Sequence, residues 1–356
     1  MKIVYIDKAI TGHRVPYLQT LINNKEDEFI AIIPQKTELI DCKQYECKLE
    51  SLTYNSYKKW IDDVYKIVKE ENPDIVHFLF DDVFYRFLGY GLYRFKKFNS
   101  IITVHSVRTG ALAKIVLNTI SCMCKKIVVH SQYMKNELVK MGIKNVCHIE
   151  YPVFNSQRCE KSVACDYFEL KKETKTLGCI GGTRYDKGLD ILLAALESVD
   201  EPFQLLVAGC EEDFKEEFIK QKTSLYKEKV YLKLKFLSDE ELMYAMNAID
   251  VVVLPYRKWF NGASGPLGEG VALDKCIVGP AHGNLGETII KNHLGYTFET
   301  ENVTSLTDII KKVLKEDFVF DEKYSEYKNS LDVENFVNSY NKLYRESGLD
   351  CCKENH

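Results

Sequence analysis

The sequence predicts an α/β protein made of two doubly wound parallel-sheet domains, and three observations predict it. Short β-rich runs alternate with helix-period segments along nearly the whole chain, a pattern that yields a parallel sheet covered on both faces. The 356 residues exceed what one core ordinarily organises. A polar, weakly periodic stretch at 151–167 separates two such series, which places domains at 1–155 and 156–330.

Element by element, the chain opens on MKIVYIDKAI, which reads as a buried strand over Ile3–Ile6 rather than as a secretory leader. Further strands follow at Phe29–Ile33, Ile75–Leu79, Ile101–Val104 and Ile127–Val129. Between them Trp60, Val64, Ile67 and Val68 recur at helical spacing, and Asn72-Pro73 stops that helix. Tyr133–Met141 is a short helix closed by Gly142. The second half predicts strands at Leu177–Ile180, Gln204–Ala208, Val230–Leu234, Val251–Leu254 and Cys276–Val278. Helical faces run over Leu189–Val199 and Glu241–Ile249, the second entered through the capping box Ser238-Asp-Glu-Glu241. A final amphipathic helix, VENFVNSYNKLY, falls within 331–348. Its docking partner cannot be read from the sequence itself.

Composition narrows the function classes. With 46% hydrophobic and 28% charged residues the chain is globular, and no apolar run approaches a membrane span of roughly 20 residues. Twelve cysteines without CxxC pairs or Cys/His ligand spacing suit reduced thiols in a cytoplasmic protein. Residues 1–150 carry 22 Lys+Arg against 17 Asp+Glu, and the remainder 26 against 35. That balance argues against nucleic acid and leaves a mildly basic first half compatible with anionic lipid or a phosphorylated substrate. The segment FYRFLGYGLYRFKKF at 84–98 interleaves aromatics and cations, as an interfacial helix or a core helix with snorkelling cations would. Asp81-Asp82 could imitate a metal-binding pair, but on a strand they would point to opposite faces.

Two loops carry candidate chemistry. In GCIGGTRYDKGLDILLAAL a strand ends at Ile180, Gly181-Gly182 follow, and a helix begins near Gly188; Arg184 and Lys187 add cations suited to a diphosphate. An ordinary βα loop with solvated charges is the alternative. In NGASGPLGEGVALDKCIVG, Gly262, Ser264, Gly265, Pro266 and Leu267 form a bare entry into a helix, with Glu269 as the lone carboxylate. Glu269, expected in the first turn, would then hold a ligand or merely complement the helix dipole. A cationic loop and a carboxylate loop at strand ends of one sheet are what a nucleotide sugar requires: cations for the diphosphate, a carboxylate for ribose hydroxyls.

On Gly181…Lys187-Gly188 with LDILLAAL, FLSDEELMYAMNAIDVVVLP, Gly262…Glu269 and GNLGETI, and in the first half NPDIVHF, IITVHS and IVVHSQYMKNELVKMG, the chain resembles the retaining GT-B glycosyltransferases of family 4. The resemblance implies two Rossmann-like domains with a cleft between them and a C-terminal helix returning to the N-terminal domain. It implies sugar transfer from a UDP- or GDP-sugar to a glycan or lipid-linked acceptor, with no cofactor and no bound metal. It implies a cytoplasmic protein, with peripheral contact at the inner face of the plasma membrane as a further expectation. By position Lys187 matches the lysine at the diphosphate, Glu269 the ribose-holding glutamate, and His105 the histidine at the transfer point. Thr11, Gly12, His13 and Arg14 follow the first strand, where the resemblance implies a loop that touches donor or acceptor. The chain departs at Asn261, where the family carries a glutamate, at Gly182, where it carries an arginine that Arg184 would replace, and in the first loop, which lacks the Gly-Gly pair. Two other classes stand beside transfer: a nucleotide-sugar 2-epimerase, and a non-catalytic nucleotide-sugar-binding protein. A nicotinamide dehydrogenase is disfavoured, since no GxGxxG follows the first strand.

Overall fold

The structure is a computed structural model that describes residues 1–10, 14–22, 27–108, 110–154, 156–260 and 262–349. The chain divides into two compact units, Met1–Phe154 together with the segment from Val333 onward, and Asn155–Asp332.

Unit 1 holds β1 (Lys2–Ile6), β2 (Glu28–Ile33), β3 (Lys43–Glu46), β4 (Ile75–Phe78), β5 (Ile101–Val104), β6 (Lys126–Val129) and β7 (Val146–His148). They form one sheet in the order β3-β2-β1-β4-β5-β6-β7, with every pairing parallel. The five inner strands are the five expected; β3 and β7, which the sequence reading lacks, are the two edges. An inner strand faces helices on both sides and is predominantly apolar. An edge strand such as Lys-Gln-Tyr-Glu has one neighbour and tolerates polar residues. The helix Tyr54–Glu71 starts at Thr53, whose side chain accepts from the Ser56 N–H, and ends at Asn72 in the left-handed region (φ 44°). It buries Tyr57, Trp60, Ile61, Val64 and Val68 against the sheet.

Two expectations in this unit need correction. The segment 84–98 is not one helix. A short helix, Asp82–Arg86, and a 3-10 helix, Leu92–Phe98, are separated by Leu88, Gly89 and Gly91, all at positive φ. Phe84, Tyr85, Leu92, Phe95 and Phe98 are buried, so most of its aromatics serve the core. Asp81 and Asp82 do not lie on a strand either, because β4 ends at Phe78. Asp81 is buried ahead of the helix and accepts the His105 N–H (3.2 Å), while Asp82 pairs with Lys8. No described helix is long and apolar enough to cross a membrane.

The C-terminal helix, Val333–Leu349, packs within unit 1, where Phe336, Tyr340 and Tyr344 join a core cluster with Tyr5 and Tyr17. Hydrogen bonds set its register. His130 Nδ1 donates to the Ile149 carbonyl (2.9 Å), so its Nε2 accepts from the Tyr17 hydroxyl (3.1 Å), whose oxygen accepts from Tyr340 (2.6 Å). On β4, His77 bridges Tyr344 (2.8 Å) and Thr103 (2.9 Å).

Burial first, and then the charge of His105, pushes His77 and His130 down to about 3. An unfolded histidine protonates near ~6.5, so between these values the unfolded chain binds more protons and stability rises with pH. Each histidine contributes about 1.4 kcal/mol per pH unit in that window. His77→Gln is therefore expected to flatten the dependence of unfolding free energy on pH by that amount in urea melts. An unchanged slope would contradict a neutral, buried His77.

Unit 2 holds β8 (Thr176–Ile180), β9 (Gln204–Ala208), β10 (Val230–Lys233), β11 (Val251–Val253), β12 (Cys276–Pro280) and β13 (Gly295–Phe298), in the order β10-β9-β8-β11-β12-β13, all parallel. Again the strand missing from the sequence reading, β13, is an edge. The expected capping box is present: Ser238 accepts from the Glu241 N–H and Glu241 reaches back to the Ser238 N–H. The winding reverses between β8 and β11, and in open α/β sheets the carboxyl ends at such a reversal are where ligands bind. In unit 1 the reversal lies between β1 and β4.

Candidate functional site in unit 2

Both loops singled out in the sequence leave the switch-point strands, one from β8 and one from β11. At the end of β8 the Gly181 N–H donates to Ala208 (2.7 Å), and the Gly181 carbonyl lies where a Cβ on Gly209 would stand, 2.2 Å away. Thr183 is buried; its hydroxyl donates to the Phe214 carbonyl (2.8 Å) and accepts the Glu212 N–H (2.8 Å), which ties this loop to the one after β9. A 3-10 turn, Tyr185–Lys187, follows and is closed by Gly188 in the left-handed region (φ 63°). Gly188 is required twice over, since a Cβ there would also lie 2.1 Å from the Pro255 carbonyl oxygen. Gly188→Ala is expected to cost about 3 kcal/mol of stability, the sum of left-handed strain and overpacking, measured by urea denaturation.

The turn aims Lys187 inward. Its ammonium lies against Gly181, where a Cβ would be 2.6 Å from Nζ, and 5.9 Å from the Tyr256 ring centroid. Burial, with Arg184 adding repulsion, holds the Lys187 ammonium below the usual lysine range. Arg184 itself is exposed, and its guanidinium makes a two-pronged pair with Asp186 (2.9 and 2.7 Å). Gly182 has Glu212 beside it, 2.6 Å from where its Cβ would be, so an acid stands where the sequence comparison looked for an arginine.

After β11, Tyr256 is buried with its hydroxyl 3.4 Å from Ser264 Oγ. Ser264 precedes the helix Gly265–Ala272, and no side chain caps that helix; Pro266 sits in its first turn. Glu269 is not in the first turn but one turn further in, too deep to act mainly on the dipole. Its carboxylate leans back toward the helix start, with Oε1 3.7 Å from the position of a Gly265 Cβ. Burial pushes Glu269 up to about 7, opposed by Lys187. A half-buried ammonium and a half-buried carboxylate thus sense each other beside an uncapped helix N-terminus. The arrangement can bind an anion at the amides and lysine and accept hydroxyl protons at the carboxylate. Leu267 is buried, and Gly270 lets the helix lie on Val252, where a Cβ would be 2.7 Å away.

Gly262 carries a further contact: its carbonyl accepts from Asn284 Nδ2 (3.2 Å), at the start of the helix Gly283–Lys291. Asn284 Oδ1 is buried without a partner among the described residues. Tyr256 and Arg257 are absent from the sequence reading, and Asn284 stands in it only within GNLGETI with no role, because only tertiary contacts bring them here. Asn261, Thr11, Gly12 and His13 lie outside the described residues.

The unit 1 candidates are placed at strand ends of their own sheet. His105 follows β5; its Nε2 donates to the Leu79 carbonyl (2.9 Å), and its ring meets those of Tyr17 and His130. Arg14 opens the helix Arg14–Leu21 and pairs with the buried Asp7, whose carboxyl burial lifts to about 6 against the pull of Arg14.

Residues 167–330 match the sequence family described as Glycosyl transferases group 1. No curated protein sequence matches the chain. Among solved structures it is similar to a glycosyltransferase from Rickettsia africae (19% identity, TM-score 0.79, 97% of this chain and 98% of that one). A sucrose-phosphate synthase from Thermosynechococcus elongatus gives 16%, 0.75, 97% and 98%, and Anabaena HepE, in complex with UDP and glucose, gives 13%, 0.75, 97% and 100%. At these identities the likeness establishes the fold, which is GT-B: two Rossmann-like parallel-sheet domains.

Proposed function

We propose that this GT-B chain, with its group 1 glycosyltransferase domain, transfers a sugar from a UDP- or GDP-sugar to a glycan or lipid-linked acceptor, with retention at the anomeric carbon and without a bound metal. The observation that carries the reading is the placement of Lys187 and Glu269 beyond the two switch-point strands of unit 2, beside the uncapped N-terminus of Gly265–Ala272. As the bond to the anomeric carbon breaks, charge collects on the departing diphosphate. A fixed ammonium and helix amides stabilise it without reorganising. Glu269 accepts the ribose hydroxyls. Anabaena HepE, in complex with UDP and glucose, supports a nucleotide-sugar ligand for this fold.

His105 belongs to the same proposal as the group at the transferred sugar. Its Nε2–H donates to the Leu79 carbonyl, which fixes the orientation of the ring. A cytoplasmic protein that meets its acceptor at the inner face of the plasma membrane is part of this reading, since lipid-linked acceptors reside there.

The test is incubation with a panel of UDP- and GDP-sugars in the presence of a chelator, with products analysed by proton NMR. Nucleotide release accompanied by an α-configured product from an α-configured donor is the expected result. An epimerised nucleotide sugar with no release would instead establish the isomerase, and binding without any turnover the non-catalytic protein.

A further inference from the structure

We infer that Trp259 and Tyr185 form a stacking platform for one pyranose ring, at the rim of the unit 2 site; the inference rests on the sugar-transfer reading for its ligand class. The chain has two tryptophans. Trp60 is 2% exposed, as a core tryptophan should be, while Trp259 is 61% exposed on the loop after β11. Tyr185, on the loop after β8, is 47% exposed, and the two rings lie 5.7 Å apart at 34°. The two loops that carry the half-buried Lys187 and the helix entry therefore also present paired aromatic faces to solvent.

The platform is held from behind. Arg257 is 8% exposed with its guanidinium 4.0 Å from the Tyr185 centroid. It donates to Asp190 (2.6 Å), to Glu301 (3.2 Å) and, through Nε, to the Tyr185 carbonyl (2.9 Å), while its own N–H donates to the Asp186 carbonyl (2.9 Å). A guanidinium so fully paired is committed to fixing Tyr185. The aromatic surface is thus preorganised before any ligand arrives.

Size and chemistry select the occupant. Two rings edged by charged residues are far smaller than the roughly 800 Å² a protein partner would cover. The C–H bonds on one face of a pyranose carry partial positive charge and suit the negative face of an aromatic ring. Its hydroxyls need donors and acceptors around the rim, and the exposed Arg184–Asp186 pair and Lys258 supply both. The ring can belong to the donor or to the acceptor, and a nucleobase is the competing flat ligand.

Trp259 is its own reporter, because Trp60 is sealed in the core. The experiment follows tryptophan emission of the full chain during titration with UDP, GDP, their glucose, galactose and mannose conjugates, and free maltose, lactose and cellobiose, with nucleotide affinity measured in parallel by calorimetry. A sugar-dependent change in emission, absent in Trp259→Phe, is expected. Response to a nucleotide sugar but not to its nucleotide assigns the donor ring, and response to free oligosaccharide assigns the acceptor. Trp259→Ala is expected to weaken the responsive ligand about tenfold, comparable to loss of one base–aromatic stack, and to leave nucleotide affinity unchanged. Emission unchanged by every sugar, or changed equally by the bare nucleotides, overturns the inference. If no nucleotide binds, the sugar-transfer reading fails, while the free oligosaccharides still decide the platform.

Discussion

Lys187→Ala is expected to lower turnover of the nucleotide sugar by about 10²–10³-fold, the loss typical of one preorganised charge-stabilising donor. Folding should not suffer. Burial already holds the Lys187 ammonium below its ordinary range, so the charged side chain is carried at a cost and its removal leaves the melting temperature unchanged or raised. Lys187→Arg should not rescue activity, because a planar guanidinium on a longer side chain does not place its charge where the compact ammonium lies over Gly181, 2.6 Å from where a Cβ would stand. The measurement is steady-state turnover together with thermal melts on the three proteins. Wild-type turnover in a folded Lys187→Ala protein would remove Lys187 from the chemistry.

Glu269→Gln is expected to move binding and stability in opposite directions. Burial raises the Glu269 carboxyl to about 7, whereas an unfolded glutamate ionises near ~4.3. Between these values the folded chain binds more protons than the unfolded one, so this group's contribution to stability falls as pH rises through the window. Above it, the ionised carboxylate costs about 4 kcal/mol, a cost that glutamine does not carry. The variant should therefore melt above wild type at pH ~8 and converge with it near pH ~4, on the pKa values just given. Nucleotide affinity should drop about tenfold or more, since a neutral amide is a weaker acceptor for ribose hydroxyls than a carboxylate. The same ionisation predicts that wild-type affinity weakens as pH falls below about 7. Calorimetry with UDP and GDP and melts across pH read both effects, and unchanged affinity would return Glu269 to a purely structural role.

Much of the fold was legible because inner parallel strands have no choice of composition. Val251–Val253 and Ile127–Val129 are apolar throughout since both faces are covered, and helices such as Asp239–Ala248 announce their starts with local capping chemistry. The edges β3, β7 and β13 are under no such constraint and were not legible. The segment 84–98 misled for a related reason. Its aromatic spacing is that of a helix, but Gly89 and Gly91 adopt positive φ and turn the chain.

At the site, sequence alone determined that two βα loops, one holding Lys187 and one leading to Glu269, leave strands of a single sheet. Strand-helix alternation and glycine placement are local properties, and a chain must encode them locally. Only the tertiary structure decided that these strands flank the reversal of winding, and that Glu269 lies a turn inside its helix with its carboxylate folded back to Gly265. It alone decided that Arg184 is held by Asp186, and that Arg257 braces Tyr185 beneath an open Trp259. Those outcomes depend on burial and on partners many residues away, such as Asp190 and Glu301 for Arg257. Desolvation and pairing energies of buried charges exist only once the chain has closed around them, so no local pattern records them in advance.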